Sequence, residues 1–434
     1  MFYTIMWNIA NLALRFYFRH LFVSNATRVP NDKPVILACN HPNSFMDAIL
    51  FATHTRRPLN FFARSDAFKT NFMKAFLGAL HLNPIYRQEE GKENLMKNDQ
   101  TFNRGYSLLK EKGMVLVHSE GICVVEKRLR KLKKGTARMA FFSEANENFR
   151  LDLQIVPVGF NYTYPTKFRG EVMITIGEPF TTEDFREVFE ENPAKAINLF
   201  NAKLSGELEK VVIIIEEKKN EPLTENLFII FRNNDPEKAF RWRTDCTKRF
   251  VMEKSVADIV NRSYKESSGS FTELYDETMS YFKRLGALRI SDSRIANGVR
   301  NTFGAILALL IAFPFFFTGA VASLLPAWLT GKITKSTVKG DVFYASVMFG
   351  AGVFVSLICY FLVLVFTAIF APWWIFLSAL FLPAFSYVFV LYIDLFRFLK
   401  GNIRYIIARS GNAEAIKSLK EQRQKILRLI HNAR

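Results

Sequence analysis

Cysteine is scarce in this chain. Four are spread over 434 residues, at Cys39, Cys123, Cys246 and Cys359. None falls at metal-ligand spacing and they are too few for a disulfide scaffold. A zinc module and a small secreted fold are thereby excluded, and a reducing, cytosolic face is expected. Internal repeats and low-complexity tracts are absent as well. There is no Gly-x-Ser-x-Gly elbow, which argues against a lipase- or thioesterase-type nucleophile at Ser44, Cys39 or Cys123. A signal peptide is also missing. Met1 to Leu14 carries no charge and Arg15 and Arg19 come after it, the reverse of the secretory order, with no small-residue cleavage site beyond. Acid is in the minority, with 40 Asp and Glu against 58 Lys and Arg, a net charge of +18. Such a chain meets nucleic acid or an anionic membrane surface. No nucleic-acid recognition motif is present, so no nucleic-acid partner is expected.

What the chain does have is apolar surface. Half of its residues are hydrophobic and 44 are phenylalanine. The length allows two or three domains. The opening run is shorter than the ~20 residues of a span. It suits a membrane-anchoring interfacial helix over residues 1–24, with Trp7, Tyr17 and Phe18 at headgroup level. Residues 25–182 alternate in pattern. Strands are expected at 34–40, 59–64, 82–86, 114–118, 154–160 and 172–177, and helices at 46–55, 71–80, 99–112 and 136–143. Short β-branched runs separated by helices predict an α/β domain with a mixed, largely parallel sheet flanked by helices. Polar chemistry then belongs at strand carboxyl ends. Residues 183–300 are charged and read as a helical appendage.

The chain contains no charged residue over 301–331 or over 342–393. Buried core helices are rarely uncharged for so long, so residues 301–396 read as a membrane domain of C-terminal transmembrane helices. The second tract is long enough for two spans, broken at Ala371-Pro372-Trp373-Trp374. The first, interrupted by Pro314 and Pro326, fits either one tilted span or a re-entrant hairpin. A hairpin keeps the connector lysines Lys332, Lys335 and Lys339 and the tail on the same face as the preceding domain. The positive-inside rule favours that arrangement. Residues 397–434 form a basic helical tail, with ten Lys and Arg after Asp394 against Glu414 and Glu421.

The segment Asn40-His41-Pro42-Asn43-Ser44-Phe45-Met46-Asp47 places a histidine where a strand hands over to a helix, with an aspartate one to two turns later. An imidazole can take a proton from a hydroxyl, and a carboxylate fixes its tautomer and stabilises the imidazolium. Asn83-Pro84-Ile85-Tyr86-Arg87 ends another strand in an arginine, whose fork can grip two phosphate oxygens. Ser119-Glu120-Gly121-Ile122-Cys123 follows a third strand. The run Leu129-Arg130-Lys131-Leu132-Lys133-Lys134-Gly135-Thr136-Ala137-Arg138 comes next, and Gly135 would open a helix whose first amides face an anion. Ile155-Val156-Pro157-Val158-Gly159 and Ile176-Gly177-Glu178-Pro179 complete the series.

In this order the segments resemble the motifs of the PlsC-like glycerolipid acyltransferases, in a branch related to yeast glycerol-3-phosphate and dihydroxyacetone-phosphate acyltransferases. Two departures stand out: the His41–Asp47 spacing is one residue longer than usual, and Cys123 replaces a common arginine. The resemblance implies a membrane-bound O-acyltransferase of phospholipid synthesis. It would move a fatty acyl group from acyl-CoA or acyl carrier protein to a hydroxyl of glycerol 3-phosphate or 1-acylglycerol 3-phosphate. His41 and Asp47 would be catalytic. Of the substrate-binding residues, Arg87, Lys133 and Arg138 would hold the phosphate of the phosphorylated glycerol acceptor, while Glu120 and Gly121 would shape the pocket, and Pro157 would line the acyl site. No metal and no cofactor beyond the thioester co-substrate are implied. The partners would be membrane phospholipids, and the location an integral membrane site with the catalytic domain on the cytoplasmic face of a bacterial inner membrane or the endoplasmic reticulum. The alternatives are another lysolipid as acceptor, or an inactive lipid-binding membrane protein.

Overall fold

Val35–Cys39 is apolar and buried at every position, the pattern of a parallel strand covered on both faces. In the structure, a computed structural model, it is β2 of a seven-stranded sheet. The structure describes residues 1–55, 57–85, 98–234, 245, 247–266 and 269–433. The other strands are β1 (Phe18–Ser24), β3 (Leu59–Arg64), β4 (Leu82–Ile85), β5 (Met114–His118), β6 (Gln154–Tyr162) and β7 (Gly170–Ile176), in the order β1-β7-β6-β2-β5-β3-β4. All neighbours are parallel except β6 and β7. Helices α1 (Phe2–Tyr17), α2 (Ser44–Ala52), α3 (Asn71–Ala79), α4 (Asn98–Lys110), α5 (Gly135–Ala145), α6 (Arg186–Glu191) and α7 (Pro193–Val211) accompany the sheet. This is the mixed, largely parallel α/β fold that the sequence predicts.

The chain divides into two units, the first made of Met1–Ile213, Trp242–Thr247 and Gly340–Ser346. It extends beyond residue 182 because α7 docks on the sheet. Asn161 of β6 receives the Ile213 amide at 2.8 Å and donates to the Val211 carbonyl at 3.0 Å. Phe200 of α7 meets Phe141 of α5 with ring centroids 5.7 Å apart. The approach is close enough that a Cβ on Gly159 would lie 2.0 Å from the Val211 oxygen.

The amino-terminal element needs correction. The helix ends at Tyr17 and residues 18–24 are a strand of the sheet. Tyr17 and Phe18 are buried, and the Trp7 indole donates to the Ala52 carbonyl at 2.9 Å. A short aromatic and β-branched run fits either period, and pairing with β7 decides for the strand.

The second unit is Ile214–Arg241, Lys248–Lys339 and Val347–Arg434. It contains α8 (Glu221–Asn234), α9 (Thr247–Lys265), α10 (Gly269–Ala287), α11 (Asp292–Asn297), α12 (Thr302–Thr337), α13 (Tyr344–Phe370), α14 (Trp373–Ala379), α15 (Leu382–Gly411) and α16 (Ala413–Asn432), apart from the few end residues assigned to the first unit. Helices α12, α13 and α15 are long and apolar enough to cross a membrane. Protein covers only 17%, 11% and 6% of their most apolar windows, so their surfaces call for lipid rather than water. The expected hairpin in 301–331 is not formed. α12 runs unbroken through Pro314 and Pro326 for 36 residues. A continuous helix satisfies nearly every backbone group internally, whereas a turn would expose several, and an isolated proline removes only one donor. Gly319 lets α15 approach: a Cβ there would meet the Phe385 oxygen at 2.0 Å. The basic tail is helical but not wholly a surface. Arg423 is buried, donating to Asp292 at 2.8 Å and to the Ile230 carbonyl at 2.8 Å.

Candidate active site

β2 stops at Cys39, but the next residue continues the ladder with its side chain. The Asn40 amide donates to the Phe160 carbonyl at 3.1 Å and accepts the Phe160 N–H at 2.8 Å. The backbone is therefore held one residue beyond the strand, and His41 emerges at the carboxyl end of a central strand. Helix α2 starts three residues on, with Ser44 in a left-handed conformation (φ 45°). That turn absorbs the extra residue of the spacing and returns Asp47 to the histidine. His41 Nδ1 lies 3.0 Å from Asp47 Oδ2.

Asp47 is fully buried and bonded on both oxygens. Oδ1 accepts the Tyr162 hydroxyl at 2.6 Å and Oδ2 the Asn43 N–H at 3.0 Å. Burial lifts its pKa to about 6, against the opposing pull of His118, Tyr162 and the Asn43 amide. The first amides of α2 are also engaged. Ser44 N–H points at Cys123 Sγ at 3.0 Å, and Met46 N–H reaches Ser346 Oγ at 3.2 Å and the Asn43 carbonyl at 3.0 Å. These amides are occupied, so this helix start offers an anion little.

Glu120 is buried beside the dyad, its Oε1 accepting the His41 backbone N–H at 3.3 Å. Burial raises its pKa to about 7, against hydrogen bonds from His41 and Arg130. Gly121 turns with φ 68°, and a Cβ there would lie 2.8 Å from Lys133 Cγ. Glycine thus lets the lysine stem cross the turn, and the Lys133 N–H bonds to the Ser119 carbonyl at 2.8 Å. Lys133 and Arg138 are exposed, and α5 opens at Gly135 as expected, without a side-chain cap. The structure thus brings His41, Asp47, Glu120 and Gly121 together, with Lys133 on the same turn. Pro157 is not brought to the dyad. It lies against Gly177, which also meets Val211, while Tyr162, five residues on along a pleated strand, faces the other way to Asp47. Arg87 lies outside the described residues.

Cys39 and Cys123, the cysteines of this segment and its neighbour, make poor nucleophiles. Cys39 is fully buried, which raises its thiol well above the usual value, and burial pushes Cys123 up to about 12. Three groups that the sequence reading passed over complete the site: Asn40, Tyr162 and His118. The ring of His118, the last residue of β5, stacks on that of His41 with centroids 3.5 Å apart. Its strand-end position in the same layer as His41 was the available signal. Donor atoms of His41, Asp47 and His118 lie within 4.8 Å of one another, close enough to suggest a metal. Imidazole lone pairs lie in the ring plane, however, and two rings only 17° from parallel do not converge on one ion at ~2.0–2.1 Å.

The site is thus a histidine–carboxylate pair at the carboxyl end of a central parallel strand, an arrangement whose chemistry is proton transfer. The Acyltransferase family model matches residues 20–161, the stretch that runs from β1 through β6 and contains the pair. The chain is similar to glycerol-3-phosphate O-acyltransferase 2 of Saccharomyces cerevisiae, at 26% identity over 134 residues. The match spans 31% of this chain and only 17% of that relative's length. It is also similar to the crystal structure of the 1-acyl-sn-glycerophosphate (LPA) acyltransferase, PlsC, from Thermotoga maritima, with a TM-score of 0.31 and 19% identity over 45% of this chain and 79% of that one.

Proposed function

We propose that the protein is a membrane-bound acyltransferase of phospholipid synthesis. It takes a fatty acyl group from acyl-CoA or acyl carrier protein and transfers it to glycerol 3-phosphate or 1-acylglycerol 3-phosphate. The observation that carries this reading is the His41–Asp47 pair, locked by Tyr162 and the Asn43 amide. Asp47 engages Nδ1, so proton abstraction falls to Nε2. His41 takes the proton of the acceptor hydroxyl, the oxygen attacks the thioester carbonyl, and the expelled thiolate takes the proton back. Asp47 stabilises the imidazolium in between. The exposed cations Lys133 and Arg138 and the start of α5 suit an acceptor phosphate, with Arg87 as the bidentate partner. Membrane phospholipids would surround α12, α13 and α15. The exposed Phe2, Ile5 and Leu12 of α1 support an interfacial contact, with the catalytic domain on the cytoplasmic face.

The test is the purified protein in micelles, given palmitoyl-CoA or palmitoyl-acyl carrier protein and a panel of phosphorylated glycerols and lysolipids, with products read by mass spectrometry. A new ester on glycerol 3-phosphate or its monoacyl form is expected. No ester with any phosphorylated glycerol would end this reading.

Two further outcomes belong to it. Tyr162→Phe removes a hydrogen bond that favours ionised Asp47. The Asp47 pKa should rise from about 6, and the acid limb of the kcat/KM profile should move to higher pH. An unchanged or lowered limb would detach Asp47 from that limb. Arg87→Ala should raise the acceptor KM roughly tenfold or more, from lost charge-assisted bonds of ~1.5–3 kcal/mol each, with the donor KM unmoved. Arg87→Lys should restore only part, since an ammonium lacks the fork. A rise in the donor KM alone would assign Arg87 to the thioester carrier.

A further inference from the structure

His118 has no part in the chemistry above, yet its ring lies directly on that of His41. The two imidazoles overlap with centroids 3.5 Å apart and planes 17° from parallel, and His118 Nδ1 lies 3.4 Å from the Asn40 carbonyl. That carbonyl belongs to the residue whose side chain extends β2, so His118 is tied to the same segment that presents His41. Asp47 holds one edge of the His41 ring. Terminal ring torsions have broad wells, which give a ring some freedom of tilt. A second flat ring lying on the first removes that freedom.

We propose that His118 is a positioning residue for His41, a neutral aromatic platform that fixes the plane of the base and stabilises its imidazolium while it holds the acceptor's proton. The proposal rests on His41 acting as the general base.

Charge considerations agree. A cation is attracted to an aromatic face, whereas two cations at this separation repel. The stacked pair therefore carries at most one positive charge, and the ring backed by Asp47 is the one to take it during proton transfer. Lost hydration, then the positive charge that His41 can carry, depresses the His118 pKa to about 3. The other titratable groups around the pair are Asp47 of α2, Tyr162 of β6, and Glu120 and Cys123 after β5. None gives His118 a carboxylate partner of its own: Asp47 is bonded to His41, Tyr162 and Asn43, and Glu120 to the His41 backbone.

The test is steady-state kinetics on the full chain in micelles with palmitoyl-CoA and glycerol 3-phosphate, or the monoacyl acceptor if the panel selects it. His118→Leu should lower kcat about tenfold and leave both KM values within about twofold. Losing the platform destabilises the imidazolium formed in the reaction, so the acid limb of kcat/KM moves to lower pH by about half a unit or more. His118→Phe restores a flat face without a titratable nitrogen, and should recover most of kcat and the original limb. Thermal melts accompany each variant. The proposal is overturned if His118→Leu, folded, matches the parent in kcat and limb, or if His118→Phe is as slow as His118→Leu. His41→Ala is run in parallel. An active His41→Ala protein would overturn the base assignment and this inference together, while an inactive one beside a normal His118→Leu overturns this inference alone.

Discussion

His41→Ala is expected to abolish measurable acyl transfer while the melting temperature stays near that of the parent. The side chain is partly exposed at a strand end and carries little of the core. Loss of general-base catalysis alone removes ~100–10,000-fold in rate. Asp47→Asn should cost at least about tenfold, and the reason is specific to its surroundings. The carboxylate accepts three hydrogen bonds, from Tyr162, Asn43 and His41. An amide can accept at only one of its two ends, so one buried donor would face an NH2 group, at ~1–3 kcal/mol. The substitution should therefore lower both turnover and melting temperature, whereas His41→Ala should lower only turnover. Near-normal turnover by His41→Ala, measured by the mass-spectrometric assay, would remove the mechanism.

The second large effect is structural. Gly159→Ala should destabilise the first unit by ~1–3 kcal/mol or more, because the new methyl would meet the Val211 carbonyl oxygen at 2.0 Å and its carbon at 2.6 Å. Both are backbone atoms, and rotamer changes cannot relieve the clash. Either α7 lifts off β6 or the strand bends, and the Asn161 bonds to Val211 and Ile213 are lost in the first case. For a unit of this size that corresponds to a fall of ~2–12 °C in the melting transition. Calorimetry decides it: a Gly159→Ala protein that melts within a degree of the parent would show that the α7 contact yields freely.

How much of this was legible beforehand depends on what kind of signal each element carries. β3 and β5 fall where the residues place them, since each is a short, mostly apolar run bounded by proline or glycine on one side and serine on the other. β1 did not, because Phe18–Ser24 follows a helix without a break and only its pairing with β7 identifies it. The hairpin expected at 301–331 rested on charge asymmetry, and the prolines that suggested a turn sit inside an unbroken helix. At the site, His41 and Asp47 were readable because spacing along one segment encodes their meeting. Tyr162 and His118 were not, since each reaches the dyad from another strand and sheet order alone brings them there. Asn40 was hidden differently: its neighbour drew the attention, while its own role is to continue a ladder with a side chain.

The capping of α2 has a consequence for how the protein is made. The amide of Met46 reaches the hydroxyl of Ser346, 300 residues later in the chain. At ~5–20 residues per second, a ribosome that has just finished this helix needs ~15–60 s more to supply that oxygen. The strands that flank the dyad, β5 and β6, are complete long before then. A nascent chain can therefore assemble the sheet and bring His41 to Asp47 while one amide at the helix start still lacks its final partner. The segment that carries the acid is therefore made some 300 residues ahead of the last group that bonds to it.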